Sequence, residues 1–97
     1  MREPRRFLIV RLGALGDLIH AIPAVAALRR RYPDAQIDWM VDPRYVDLIG
    51  LLEAVDGIIP VDPRDLLQAG ARAEVLGRLR ALRASRYDVV IDLQGLL

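Results

Sequence analysis

The sequence predicts one α/β domain built on a parallel sheet, and three observations carry that expectation. Four short Val- and Ile-rich runs, at residues 7–10, 37–41, 57–61 and 89–93, have the length and composition of buried strands. Helical patterns fill the spaces between them, and strand–helix alternation implies right-handed crossovers between parallel strands. The first and last runs each lead into a glycine-bearing turn, Gly13-Ala14-Leu15-Gly16-Asp17 and Asp92-Leu93-Gln94-Gly95.

Taken in order, the apolar run at 7–10 gives way to two glycines three apart and then to a helical pattern over 17–31. Arg29, Arg30 and Arg31 close that pattern, where cations suit the negative end of the helix dipole. Pro33 forbids continuation. Pro23 falls inside the pattern, so a short first turn and a restart are expected, with Pro23 near the first position of the second segment. Residues 43–52 predict a short helix after the second strand. Residues 62–70 predict a polar loop punctuated by Pro63 and Gly70. The pattern over 73–85 predicts a further helix, with Val75, Leu79 and Leu82 on one face and Arg78, Arg80 and Arg83 mostly elsewhere.

Ninety-seven residues make one small domain, and 54% hydrophobic with 28% charged residues is a globular balance. A net charge of +1 argues against a nucleic-acid binder. All 14 basic residues are arginine, which reads as genomic bias. With no cysteine, disulfides and Cys-based zinc or redox sites are excluded, and a single histidine excludes a His-rich metal cage. Arg5-Arg6 before the first apolar run imitates a twin-arginine signal, but Arg11 and Asp17 interrupt it too early. No run approaches the roughly 20 apolar residues of a membrane span. A cytoplasmic protein is expected.

In the usual doubly wound strand order, 3-2-1-4, the first and fourth strands are neighbours. The two glycine-bearing turns then converge on one crevice, where ligands of open α/β sheets sit. Asp17 and His20 fall three apart on one helix face, where both can address one ligand. Asp17 can be a plain helix-capping acid or a catalytic base; His20 can be a surface residue or a ligand contact. Gly13 and Gly16 form only G-x-x-G, short of the dinucleotide fingerprint, yet they permit close approach of backbone to a phosphate or sugar. Asp42 stands where a dinucleotide site would hold ribose, and before Pro43 it also reads as a turn former. Arg64, between Asp62 and Asp65, reads as a solvated loop residue, and Trp39 and Tyr45 as packing residues. The sequence stops after the fourth strand and its loop with no helix to cover that side of the sheet, which suggests the front piece of a longer protein.

The run Arg11-Leu12-Gly13-Ala14-Leu15-Gly16-Asp17-Leu18-Ile19-His20-Ala21-Ile22-Pro23 resembles the opening motif of the ADP-heptose:lipopolysaccharide heptosyltransferases, glycosyltransferase family 9. Further similarity lies in Ala-Leu-Arg-Arg…Tyr-Pro-Asp-Ala from Ala27 to Ala35, in Ile37-Asp38-Trp39-Met40-Val41 and in Val55-Asp56-Gly57-Ile58-Ile59-Pro60-Val61. Arg86-Tyr87-Asp88-Val89-Val90-Ile91-Asp92-Leu93-Gln94-Gly95-Leu96-Leu97 completes the set, in the family's order over nearly the whole chain.

The resemblance implies the N-terminal, acceptor-side Rossmann-like half of a GT-B glycosyltransferase, truncated after the fourth strand, with the C-terminal donor-binding domain absent. It implies transfer of heptose from an ADP-heptose donor to the Kdo-containing lipid A acceptor of the lipopolysaccharide inner core, with inversion and without cofactor or metal, peripheral to the inner membrane at most. Asp17 matches the family's general base, and Gly13, Gly16, His20, Arg64, Asp92 and Gln94 are the implied substrate-side residues. Arg64 between two acids departs from the more basic loop of relatives. Two rival expectations are a nucleotide-binding oxidoreductase domain using Asp42, and a non-catalytic receiver-like module holding a metal at Asp17 and Asp92.

Overall fold

The computed structural model describes residues 3–66 and 68–95. Four strands, β1 (Arg6–Val10), β2 (Gln36–Val41), β3 (Gly57–Pro60) and β4 (Val89–Asp92), form one sheet of order β3-β2-β1-β4. Every neighbouring pair is parallel. The predicted strands and their order are therefore found, each within a residue or two of the expected bounds.

A parallel sheet is buried on both faces, so its central strands can be apolar throughout. In β1 the alternate side chains serve different layers. Phe7 and Ile9 join Ile37, Trp39 and Val41 under helix α1 (Leu15–Arg31) and the short helix α2 (Val46–Gly50). Leu8 and Val10 join Met40 and Val75 beneath helix α3 (Ala69–Arg86). Two helical layers thus sandwich the sheet. Val75 carries the predicted apolar face of α3; the side chains of Leu79, Leu82 and Arg83, like residues Leu96 and Leu97, lie outside the described residues.

Three local expectations are corrected. The restart at Pro23 does not occur: α1 runs unbroken from Leu15 to Arg31. Proline removes one helical hydrogen bond and crowds the carbonyl four residues back, at a cost of about 3 kcal/mol. Leu18 and Ala21 before it, and Val25 after it, are all buried against the sheet, so packing holds both halves in one line. The loop at 62–70 contains a 3-10 turn at Pro63–Leu66, and α3 starts at Ala69, ahead of the expected 73. Gly70 falls in the first turn of α3, where its missing side chain meets no neighbour. The helix expected over 43–52 divides into a 3-10 turn, Pro43–Tyr45, and α2, because the Asp42 carboxylate caps the Arg44 N–H at 2.9 Å and Pro43 starts the turn.

Of the three arginines ending α1, Arg29 does more than complement the dipole. Its guanidinium donates to the carbonyls of Ala35 (2.6 Å) and Ala54 (3.0 Å) and to the Asp56 carboxylate (2.5 Å), which in turn accepts the Ile37 N–H. It thereby ties the end of the helix to the entries of β2 and β3.

At the same edge of the sheet Asp38 accepts from Tyr87 Oη (2.7 Å) and Gln36 Nε2 (2.8 Å). Burial first, and the hydrogen bond to Asp38 second, push the Tyr87 phenol up to about 12, so it stays a donor at neutral pH. A Cβ at Gly57 would lie 2.5 Å from Asp38 Oδ1. Gly57→Ala should therefore destabilise the domain by about 1–3 kcal/mol through overpacking. Urea unfolding reads this directly; an unchanged midpoint would refute the steric account.

Candidate active site at the carboxyl edge of the sheet

The loop from Arg11 to Ala14 leaves β1 at the carboxyl edge and is stitched to both neighbouring strands. Arg11 N donates to Met40 O (3.2 Å) and Asp42 N to Leu12 O (3.1 Å) on the β2 side. Towards β4, Leu93 N donates to Val10 O (2.9 Å) and Leu12 N to Gln94 Oε1 (3.0 Å). The expected convergence of the two glycine-bearing turns is thus found, and Gln94 is one of its bolts.

Asp17 stands in the first turn of α1. Ala14 is the helix N-cap and has no side-chain acceptor to offer, so the Asp17 carboxylate turns back and accepts the Ala14 N–H at 3.2 Å. The same oxygen, Oδ2, pairs with Arg11 Nη2 at 2.7 Å. The capping role foreseen for Asp17 is therefore present. The side chain nevertheless remains 51% exposed, and Oδ1 has no partner among the described residues. Arg11 also donates through Nη1 to Leu93 O at 2.7 Å, so one guanidinium spans from the acid to the β4 loop.

The other expected residues divide. Asp92 Oδ1 accepts the N–H groups of Gln94 (3.1 Å) and Gly95 (2.8 Å), shaping a turn in which Gly95 takes a φ of +81°. Its carboxylate serves the loop's own backbone. Gly13 passes close over Tyr45: a Cβ there would come within 3.2 Å of the ring. At Gly16 a Cβ would meet nothing, leaving the first turn of α1 bare towards solvent. His20 is exposed one turn beyond Asp17.

Arg64 lies apart. It follows β3, two strand spacings or about 10 Å from β1. Its guanidinium chelates Asp62, with Nη2 2.7 Å from Oδ2, and its side chain is exposed. An equivalent pair stands beside it after β2: Arg44 Nη2 lies 2.8 Å from Asp42 Oδ2, and both aspartates accept their own arginine's N–H at 2.9 Å. Asp42, Pro43, Arg44, Asp62, Pro63 and Arg64 line a shared cleft of about 370 Å³. The signal for this pair was legible as Val-Asp-Pro-Arg written twice, at 41–44 and 61–64.

Among the described residues Asp42 is the buried carboxylate, and the Arg44 guanidinium beside it holds its pKa below the ordinary 3.8, against the opposing pull of burial. Lowered in the folded state, that pKa contributes stability above the unfolded value, and the contribution is lost as pH falls through the folded value. Arg44→Met removes the cation and should start acid unfolding at a higher pH, as followed by circular dichroism between about pH 5 and 2. Superimposable acid limbs would refute it. With both carboxylate oxygens engaged by Arg44, Asp42 is the turn former the sequence suggested and is not free for a ribose. Among the described residues no three His, Asp or Glu side chains gather in a metal-ligating group.

No protein-family model matches the chain. Its sequence aligns over 95% of its length with lipopolysaccharide heptosyltransferase 1 of Salmonella typhimurium and of Pseudomonas aeruginosa, at 36% identity to each. The chain is a heptosyltransferase homologue. The chain spans about 30% of the Salmonella enzyme's length and 27% of the Pseudomonas enzyme's. In structure it matches E. coli heptosyltransferase WaaC with ADP-2-deoxy-2-fluoro heptose, with a TM-score of 0.71 and 34% identity, covering 93% of this chain and 30% of WaaC. A family 9 glycosyltransferase from Veillonella parvula gives a TM-score of 0.74 at 26% identity, covering 92% of this chain and 26% of that one. The heptosyltransferase-like sequence and the family 9 fold thus coincide over nearly all of the chain. Arg11 is the site residue that sequence reasoning missed. Its only signal was a charged residue at the exit of an otherwise apolar strand, six positions before Asp17.

Proposed function

We propose that this chain is the acceptor-side domain of a GT-B enzyme that transfers heptose from ADP-heptose to the Kdo of the lipopolysaccharide inner core, with Asp17 as general base. The observation that carries the proposal is the Asp17 carboxylate at the carboxyl edge of β1. One oxygen is held by Arg11 and Ala14, and the other has no partner among the described residues on a side chain that is half-exposed. Relatives solved with ADP and with an ADP-heptose analogue support a nucleotide-sugar donor.

In this mechanism the acceptor hydroxyl oxygen attacks the anomeric carbon of heptose. Its proton passes to Asp17 Oδ1 as the new carbon–oxygen bond forms. The bond between the anomeric carbon and the phosphate oxygen breaks, and its electron pair leaves on ADP. Attack from the face opposite ADP inverts the centre, and no metal takes part. The bare first turn at Gly16, with Gly13 behind it, lets donor phosphates approach the N-terminus of α1. His20 and Gln94 border the sugar. Arg64, on the far side of β2, meets the acidic acceptor, and Asp92 acts through the loop it shapes. A second Rossmann-like domain supplies the remaining donor contacts, and the enzyme works at the cytoplasmic face of the inner membrane. Among the described residues no helix is long and apolar enough to cross a membrane.

The test is to incubate the two-domain enzyme with ADP-heptose and Kdo-lipid A and to look for a heptosylated product of inverted configuration. Turnover of ADP-heptose without transfer to Kdo, or no reaction at all, overturns the proposal.

A further inference from the structure

We propose that Arg11 is the positioning residue for this reaction: it clamps one oxygen of Asp17 so that the other faces the acceptor hydroxyl. The inference rests on Asp17 being the base, as argued above.

Four observations carry it. Among the described residues both donors that reach the Asp17 carboxylate, Arg11 Nη2 at 2.7 Å and Ala14 N at 3.2 Å, fall on Oδ2. A carboxylate held at one oxygen in this way has a fixed rotamer and one defined basic edge. The Arg11 side chain is 21% exposed against 51% for Asp17, so the arginine secures the acid from the protein side. Its second arm, Nη1, is anchored 2.7 Å from Leu93 O, which prevents the guanidinium from swinging with the acid. Its backbone is fixed as well, because the indole of the fully buried Trp39 donates to Arg11 O at 2.9 Å.

The choice of arginine follows from that geometry. Two acceptors on different elements must be reached at once from one planar group, and the guanidinium fork offers two separate NH2 donors in fixed relation. A lysine ammonium is a point charge on a flexible stem and satisfies the pair less rigidly. When the acceptor proton arrives on Oδ1 the carboxyl group becomes neutral. The guanidinium keeps its bond to Leu93 O and is not stranded at that moment. No other atom changes hands: the proton moves from hydroxyl to Oδ1, and Arg11 stays protonated throughout.

The experiment compares Arg11→Met, Arg11→Lys and Asp17→Ala in the two-domain enzyme. Arg11→Met should lower kcat by about 10- to 100-fold, the scale expected of a misplaced catalytic group. KM for ADP-heptose should stay within about twofold, because the guanidinium is committed to Asp17 and Leu93 O. Arg11→Lys should fall between the two. Added guanidinium ion should restore part of the Arg11→Met activity and none of the Asp17→Ala activity, a rescue that a merely structural role would not give. A wild-type kcat in Arg11→Met, a change confined to KM, or no rescue would overturn the proposal. If Arg11→Met fails to fold, Arg11→Lys decides: a reduced kcat supports the clamp and a wild-type kcat refutes it. Retained turnover in Asp17→Ala would instead sink the base assignment, whatever the Arg11 variants do.

Discussion

On the proposed function, Asp17→Ala should abolish heptose transfer by the two-domain enzyme while leaving the domain folded. General-base catalysis is worth roughly 10²- to 10⁴-fold, so kcat should fall by at least about 10². The structural cost is small by comparison. The carboxylate caps one N–H at the start of α1 and is half-exposed, and first-turn acids of this kind contribute about 0.3–1 kcal/mol. Removing it also strands Arg11, but that guanidinium retains Leu93 O. Asp17→Asn is the sharper comparison: it keeps the shape and both acceptor contacts to Oδ2 while lacking a basic oxygen. Steady-state transfer, with circular dichroism as the control for folding, reads both variants. Near-normal turnover in either would remove Asp17 from the mechanism.

Trp39→Ala should be the most damaging single change to stability. The ring is fully buried in the middle of β2, among Phe7, Ile9, Leu18 and Ile49. Large-to-small changes of this type cost about 3–5 kcal/mol, a large share of the roughly 5–15 kcal/mol of a whole domain. The melting temperature should fall by more than about 10 °C. Trp39→Phe separates two contributions, since it keeps most of the apolar surface but withdraws the indole N–H from Arg11 O. That variant should cost about 1–3 kcal/mol for the abandoned carbonyl and the lost volume. A thermal melt of Trp39→Ala matching wild type would show that the core tolerates the cavity.

Much of this architecture was legible in the residues. Runs such as Phe7-Leu8-Ile9-Val10, apolar on both faces, read as strands buried between two helical layers, and the order β3-β2-β1-β4 is the usual doubly wound one. That order brings the loop leading to Asp17 beside the turn that holds Gln94. Element ends were less legible. Pro23 signals a break, but whether a helix breaks depends on burial to either side, and here Leu18, Ala21 and Val25 prevailed. Ala69 begins α3 although Gly70 reads as punctuation, because a first-turn glycine costs little. The partner of Asp17 was illegible for a different reason. Arg11 reaches the acid by folding a long side chain back across a loop, and chain spacing does not encode that direction. Arg64 illustrates the converse: sequence places it after the third strand, while strand order puts all of β2 between it and β1.

The central position of β1 has a consequence for the order of events during synthesis. Its near edge is satisfied early, since the β2 partner follows within about 30 positions (Val10 against Met40). The far edge must wait for Asp92, which pairs with Val10 across 82 positions of chain. Until the ribosome has released β4, the central strand β1 carries a row of unmatched amides and carbonyls on that edge. Closure of so distant a pair is entropically slow, so the crevice between β1 and β4 forms after the β1–β2 pair.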